Sequence, residues 1–223
     1  MKRRTLYILS AVAALALLVQ TAPAQSPTYL LDGKPISAQL YEAVLLTNLG
    51  IELDNANRPI EAKQKLTEAV RIAPDFPDAH YNLGVVLMRL KEEALAEKHF
   101  EFVVVSRANF PLAWLALGEI RLSRAKYQEA VDTFVDALKR YTEQTWRDHP
   151  DFYHNYGVAL AQLGEFDKAV VQLKVAVRTK GVLPDSWLAL ATTYQMTRRY
   201  QESIEVFAEA LGRYPKETWR EKP

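Results

Sequence analysis

The chain has 223 residues, of which 49% are hydrophobic and 25% charged, a composition typical of a folded globular protein rather than a disordered one. Its 28 basic and 27 acidic residues nearly cancel, which argues against the basic field of a nucleic-acid-binding surface. It contains no cysteine, so disulfides, thiolate metal sites and a cysteine nucleophile are excluded.

The first 24 residues have the pattern of a secretory signal. Three basic residues at 2–4 precede an apolar run at 6–19, and Ala22 and Ala24 form a small-x-small cleavage pattern. The run is shorter than the roughly 20 residues of a membrane-spanning helix. We therefore expect cleavage after Ala24 and export to the periplasm or exterior of a bacterium, with membrane attachment only through an uncleaved signal.

Residues 25–37 have no helical period and predict an extended leader. Asp32 and Gly33 predict a bend, because Asp-Gly is a turn sequence. The apolar residues of this leader are expected to lie over the open side of the first helical hairpin. Ser37 then predicts the N-cap of a helix from Ala38 to about Asp54.

From residue 43 onward the chain repeats one phrase about every 34 residues. Its copies are Leu46-x2-Leu49-Gly50, His80-x2-Leu83-Gly84, Trp114-x2-Leu117-Gly118, Tyr153-x2-Tyr156-Gly157 and Trp187-x2-Leu190-Ala191. Each copy precedes a small and a bulky residue, namely Ala62/Leu66, Ala96/Phe100, Ala130/Phe134, Ala169/Leu173 and Ser203/Phe207. A period of this length is typical of stacked helical hairpins.

The glycines of this phrase fall in the middle of predicted helices, where glycine costs about 1 kcal/mol relative to alanine. Gly50, Gly84, Gly118 and Gly157 therefore predict places where the second helix of the hairpin passes too close for a side chain. We expect the alanines of the second helices to complement them. The bulky residues are expected to fill the space between adjacent hairpins.

The phrase resembles the tetratricopeptide repeat family over Ala43 to Glu217. The resemblance implies an all-α fold, a right-handed α-solenoid of about five helix-turn-helix hairpins. The implied array covers 38–217, with repeats near 43–76, 77–110, 111–144, 150–183 and 184–217, and a tail at 218–223. Two departures stand out: Arg121 replaces an aromatic residue or leucine, and Thr145 to His149 are an insertion that forms either a helical turn or a short loop.

A longer period of 73 residues relates Trp114 to Trp187 and Trp146 to Trp219, which indicates duplication of a two-hairpin unit. Trp114 and Trp187 fall at the aromatic core position of the repeat. Trp146 and Trp219 are predicted to cover the ends of second helices. The alternative is that they are exposed anchors for a partner.

Asn48, Asn82 and Asn155 occupy one equivalent position on the first helices. An amide can donate to and accept from a peptide bond at once, and the resemblance implies a protein or peptide partner held in this way. The other residues predicted to line the groove are Thr47, Ile51, Tyr81, Val85, Met88, Leu112, Leu115, Val158, Leu188 and Met196. Their apolar character favours an extended hydrophobic segment or an amphipathic helix over a carboxylate clamp built from lysine and arginine.

The sequence indicates no enzyme, cofactor or metal site, since zinc-protease, nucleophile-elbow and phosphate-loop spacings are all missing. The one cluster worth weighing as a metal site runs from Asp148 to His154, where Asp151 instead favours a helix N-terminus. We therefore expect an exported, non-catalytic scaffold. The alternatives are a homo-oligomeric structural subunit that stacks through its repeat ends, and a component of an enzyme complex with no activity of its own.

Overall fold

The computed structural model describes residues 29–106 and 109–214. The chain divides into two compact units, with the boundary between Phe102 and Val103, and these are called unit 1 and unit 2. The predicted signal, Pro215, Trp219 and the tail at 218–223 lie outside the described residues.

Helical hairpins make up most of both units, which confirms the all-α solenoid class. Unit 1 contains β1 (Tyr29–Leu31), β2 (Lys34–Ile36), α1 (Ala38–Asn55), α2 (Pro59–Ile72), α3 (Pro77–Arg89) and most of α4 (Glu93–Val105). Unit 2 contains the end of α4, α5 (Pro111–Ser123), α6 (Tyr127–Arg140), α7 (Glu143–Trp146), α8 (Pro150–Gln162), α9 (Phe166–Arg178), α10 (Pro184–Met196) and α11 (Tyr200–Arg213). Within 29–106 and 109–214, no helix has both the length and the apolar character to cross a bilayer.

The residues before α1 form a two-stranded antiparallel hairpin, so the predicted leader is paired with itself. Tyr29 pairs with Ile36, and the predicted bend is confirmed at Asp32 and Gly33, whose φ angles are +50° and +77°. Two positive φ angles are what a type I′ turn requires. The Tyr29 ring stacks on Tyr41 of α1 at 4.3 Å, which places the hairpin against the first helix. Leu45 and Leu49 on the open side of α1 nevertheless stay exposed, so the leader does not cover that side as predicted.

The helix starts follow the sequence closely. The N-cap prediction is confirmed, because the Ser37 hydroxyl oxygen accepts from the Leu40 N–H at 3.1 Å. Proline, whose missing N–H is no loss at the first helical position, opens the later first helices at Pro77, Pro111, Pro150 and Pro184.

One left-handed residue makes the turn inside each hairpin. These residues are Asn57, Lys91, Ala125, Gly164 and Arg198, with φ between +58° and +78°. In the second hairpin the Lys91 N–H donates to the Met88 carbonyl at 3.0 Å, and the Glu92 N–H donates to the Leu87 carbonyl at 2.9 Å. This is the Schellman pattern, which satisfies carbonyl groups at the end of the first helix.

The repeated glycines mark close contacts between the helices of a hairpin, as predicted. A Cβ on Gly50 would lie 2.5 Å from Leu66, one on Gly84 would lie 2.8 Å from Phe100, and one on Gly157 would lie 2.6 Å from Leu173. Gly118 faces Phe134 in the same way. The missing side chain of each glycine therefore makes room for the bulky residue of the second helix, not for the alanine.

The insertion in unit 2 combines the two predicted alternatives: Thr145 and Trp146 complete an added helical turn, α7, and residues 147–149 form a short turn before α8. Trp146 at the end of α7 is completely buried, and its ring contacts Tyr141, which ends the second helix α6, at 5.9 Å, as the predicted covering role requires. It also stacks on Phe152 of α8 at 4.0 Å. Trp187 is also buried in the core, as predicted. Trp114 is half-buried and packs against the main core of unit 2.

Arg121 is accommodated by polar neighbours. Its Nη1 donates to the Thr133 hydroxyl at 2.7 Å, and its Nε lies 3.7 Å from a carboxylate oxygen of Glu129. The adjacent Leu122 packs against the core. The third hairpin thus places a charged pair at a position that holds leucine or tyrosine in the other hairpins.

Candidate functional site

Unit 1 contains a small cavity of about 60 Å³ between α1 and α3, beside the β-hairpin. It is lined by Leu31, Val44, Thr47, Asn48, Ile51, Phe76, Asp78 and Asn82. Asn48 and Asn82 come from equivalent positions of the first and second repeats. The fold therefore brings two of the three predicted asparagines to one site.

Hydrogen bonds within the helices decide which of these groups can serve a ligand. The Asn82 amide donates to the Asp78 carbonyl at 2.7 Å, which orients its side chain and leaves its second N–H and its oxygen. The Thr47 hydroxyl donates to the Ala43 carbonyl at 2.7 Å. Asn48 is exposed. The Thr47 hydroxyl hydrogen is thus used within its own helix, whereas the Asn82 amide keeps an N–H and its oxygen.

The walls of the cavity are mostly apolar, with one carboxylate. Leu31 from the β-hairpin, Val44 of α1 and Phe76 before α3 were not among the predicted groove residues, nor was Asp78. A signal for Asp78 was present, since it lies one helical turn before Asn82 on the same face. The contribution of Leu31 depends on the β-hairpin, which the sequence predicted only as a bend.

The remaining predicted residues of unit 1 lie on α3 outside the cavity lining. Tyr81, Val85 and Met88 are half-buried. The Tyr81 ring makes an edge contact with Phe100 at 5.8 Å, and burial raises the pKa of its hydroxyl. These side chains contribute packing area rather than a charged or catalytic group.

In unit 2 the predicted residues are distributed over three first helices. Asn155, Val158 and Leu188 are half-buried, whereas Leu112 and Met196 are exposed. The prediction of Leu115 as a groove residue is wrong, because this side chain is buried in a core cluster with Phe134 and Tyr156. Its helix turns Leu115 toward the interior rather than toward solvent.

Unit 2 adds carboxylates beside its asparagine. Asp151 and Asn155 repeat the spacing of Asp78 and Asn82, 73 residues later. Glu119 of α5, which the sequence analysis missed, occupies the position equivalent to Ile51 and Val158. Loss of water and the nearby negative charge of Asp151 together raise the pKa of Glu119. This surface therefore attracts positive charge.

Unit 2 also contains an open cleft of about 640 Å³ that the sequence analysis did not predict. Its lining residues are Glu143, Gln144, Arg147, Asp148, Tyr153, Val175, Arg178, Thr179 and Lys180. One wall consists of α7 and the turn that follows it, and the other consists of the end of α9. Because both charge signs alternate around it, the cleft has no clear preference for one kind of ion.

The histidines and carboxylates at the start of α8 do not form a metal cage. His149 Nδ1 lies 4.0 Å from an Asp151 carboxylate oxygen. Across the part of the chain that the structure describes, no three histidine or carboxylate side chains converge as metal ligands. The position of Asp151 in the first turn of α8 instead suits the helix dipole.

Comparison with known families decides what the hairpins are. Tetratricopeptide repeat profiles match residues 47–108, 115–181 and 184–217, which together cover most of the chain. The chain belongs to the tetratricopeptide repeat family. The matched ranges include Asn48, Asn82 and Asn155, so the three candidate asparagines of this repeat protein lie inside recognised repeats.

Curated relatives are much longer than this repeat protein. It is 35% identical to human tetratricopeptide repeat protein 7A over 79 residues, which are 35% of this chain and 9% of the relative. It is 26% identical to Superkiller protein 3 of Schizosaccharomyces pombe over 141 residues, which are 59% of this chain and 10% of that one. The chain therefore spans about a tenth of the length of these relatives.

Solved structures share the fold at low sequence identity. MamA from Desulfovibrio magneticus RS-1 superposes with a TM-score of 0.68 at 20% identity, covering 77% of this chain and 94% of that one. YrrB, described as a TPR protein with an unusual peptide-binding site, gives a TM-score of 0.68 at 18% identity, covering 78% and 87%. PilF of Pseudomonas aeruginosa gives 0.62 at 19% identity, covering 78% of each chain.

Proposed function

We propose that this repeat protein is an exported, non-catalytic scaffold that binds an extended segment of a partner protein. The observation that carries the proposal is that Asn48 and Asn82, from adjacent repeats, line one cavity with apolar walls. Membership of a repeat family that serves protein–protein interaction supports it. The described peptide-binding site of YrrB, which shares the fold, supports the peptide as the ligand.

The geometry suits a peptide better than a small molecule. Drug-sized ligands occupy pockets of about 300–1,000 Å³, whereas this cavity of about 60 Å³ admits a length of backbone or one side chain. Asn48 and Asn82 each offer a donor and an acceptor to a peptide bond. Leu31, Val44 and Ile51 contact the apolar side chains of the segment.

The carboxylate near the asparagines indicates which residues the bound segment contains. Asp78 lines the cavity in unit 1 together with Asn48 and Asn82. A basic side chain next to an apolar one satisfies both kinds of wall. The preferred segment is therefore apolar with interspersed lysine or arginine.

The first experiment identifies the partner and tests the asparagines. A photo-crosslinking residue placed at Asn48 in living cells captures the bound protein, and one at the exposed Gln128 of α6 serves as the control position. With the captured segment as the ligand, Asn48→Ala and Asn82→Ala each weaken binding by about 1–3 kcal/mol, roughly 5- to 150-fold, because a backbone group loses its hydrogen bond.

Folding and binding are separated in the same series. The melting temperature of each variant stays near that of the parent protein, since Asn48 is exposed and Asn82 half-buried. Gln128→Ala leaves the affinity unchanged. An unchanged affinity in the Asn48→Ala, Asn82→Ala double variant rejects the groove.

The charge preference has its own test. Asp78→Asn reduces affinity for a basic segment and flattens its dependence on salt, because a screened ion pair is lost. The same variant binds a segment with its basic residues changed to glutamine as the parent does. Equal salt dependence in parent and variant contradicts the role of the carboxylate.

Export is the remaining part of the proposal, and it depends on residues outside those that the structure describes. N-terminal sequencing of the protein recovered from the cell envelope is expected to begin at Gln25. A protein that retains Met1 and stays in the cytoplasm contradicts export. The binding proposal stands or fails separately.

A further inference from the structure

We propose that copies of this protein stack head to tail, with α11 of one copy packing against α1 of the next. The surfaces involved are different from the asparagine groove, so this interaction goes beyond the proposed function. Several residues on these two surfaces are exposed although their equivalents in other repeats are buried.

The outer face of α1 exposes two leucines that every later repeat buries. Leu45 and Leu49 are 46% and 41% exposed. Their equivalents are buried to 8% exposure or less: Ala79, Ala113, Phe152 and Ser186 for Leu45, and Leu83, Leu117, Tyr156 and Leu190 for Leu49. In unit 2 the covering element is the second helix of the preceding hairpin, as where α9 packs on α10. At these two positions the first repeat has the same apolar face without that cover. Glu52 differs, because it places an exposed carboxylate where the later repeats bury Val86, Ile120, Ala159 and Thr193.

The outer face of α11 shows the converse. Ile204 and Leu211 are 61% and 58% exposed, whereas the equivalent Val170 and Val177 of α9 are each 5% exposed. The two valines are covered because they pack in one cluster with Trp187, Leu190 and Tyr194 of α10. α11 thus presents the apolar face with which α9 holds the next first helix.

Unit 2 already contains an interface of this kind between α9 and α10. The face of α11 corresponds to the α9 side of that interface, and the face of α1 corresponds to the α10 side. Leu190, which is buried in that interface, is the equivalent of Leu49. A second copy supplies to each face the partner that its equivalent has within the chain. Such a contact joins different surfaces, so it leaves one free face at each end and generates an open series rather than a closed dimer.

The test uses sedimentation velocity on the protein in the form that the cell produces. The range is about 1 µM to about 1 mM, because small interfaces bind weakly. The average mass of the parent protein is expected to rise with concentration past that of a dimer. Leu49→Glu and Ile204→Glu each remain monomeric alone. An equimolar mixture of the two forms a heterodimer that does not grow, because each variant retains the face that the other lacks.

Controls make each outcome decisive. Val171→Glu changes an exposed apolar residue of α9 that lies on neither face, and it associates as the parent does. Circular dichroism verifies folding, and Leu45→Glu and Leu211→Glu replace any variant that unfolds. A parent protein that stays monomeric throughout overturns the proposal, as expected if residues 215–223 of the same chain cover α11. Association that survives Leu49→Glu but not Ile204→Glu also overturns it, because it indicates symmetric pairing of α11. A mixture that stays monomeric does the same.

Discussion

The start of α3 in unit 1 and the start of α8 in unit 2 solve one packing problem in two ways. Ala79 and His80 occupy the same repeat positions as Phe152 and Tyr153, 73 residues later, and all four are buried. In unit 1, Ala79 lies in a small cluster with Ala43 and Ala69. In unit 2, Phe152 lies between Trp146 and Phe134, with ring centroids at 4.0 and 5.1 Å.

The difference shows that the repeat phrase specifies which helix positions contact the neighbouring hairpin. It does not specify which side chains occupy those positions. Where the hairpins follow at the normal spacing, alanines allow the helices to pack directly. Where the insertion adds α7, Trp146 and Phe152 occupy the additional space. The histidine of unit 1 adds a hydrogen bond, since its Nε2–H donates to the Pro74 carbonyl at 2.8 Å and ties α3 to the end of α2.

The largest expected effect is at the aromatic contact. Phe152→Ala removes a completely buried ring and leaves a cavity between Trp146 and Phe134, so it lowers the free energy of unfolding by about 3–5 kcal/mol. Urea unfolding followed by tryptophan fluorescence measures it, because all four tryptophans lie beyond residue 102 and report on unit 2. A loss below about 1 kcal/mol contradicts tight aromatic packing there.

The reciprocal change, Ala79→Phe, tests whether the cluster of alanines around Ala79 can hold a larger side chain. A benzyl group has no space among Ala43 and Ala69, so the free energy of unfolding falls by about 3 kcal/mol through overpacking. Hydrogen exchange across α1 to α3 detects it in unit 1, which has no tryptophan. A neutral result would mean that the two contacts are interchangeable.

The sequence predicted some of these contacts and not others. Glycine inside a helical pattern predicted the close contacts at Gly50, Gly84 and Gly157, because only a near neighbour explains its cost. The partner of His80 was not predictable, since His99 lies on the other helix of the hairpin and only the fold brings the rings together. The depth of Leu115 also depends on how helices rotate against each other. The phrase alone does not specify that rotation.

The third prediction concerns pH and again separates the units. His80 Nε2 donates to Pro74, so its Nδ1 accepts from His99 Nδ1–H at 3.0 Å, and both rings are neutral. Burial and the neighbouring ring lower the pKa of His99 to about 4, and burial also lowers that of His80. The unfolded chain binds protons first as pH falls below about 6.5.

Unit 1 should therefore keep its full stability above pH 6.5 and lose about 2 kcal/mol between that pH and about 4. Far-UV circular dichroism in urea at several pH values measures the loss, with tryptophan fluorescence reporting unit 2 separately. His99→Gln, which installs the residue that unit 2 has at Gln172, should flatten the profile. If the variant retains the whole slope, carboxylates rather than this pair cause it.

The smallest effect is at the turns. Ala125 has φ +58°, where a side chain is strained, and Gly164 occupies the equivalent turn with φ +78°. Ala125→Gly should raise the free energy of unfolding by up to about 1 kcal/mol, and Gly164→Ala should lower it by a similar amount. Both lie in unit 2, so the midpoint of the fluorescence transition in urea measures them. Changes of the same sign in the two variants contradict the assignment of strain.

Each of the four repeated helical glycines contacts a large side chain of its own hairpin, as Gly84 contacts Phe100. A gene segment that encodes one hairpin therefore transfers its own internal fit when it is copied. Lengthening the protein by whole hairpins requires adjustment only at the junctions between old and new copies. Trp146 and its insertion lie at such a junction.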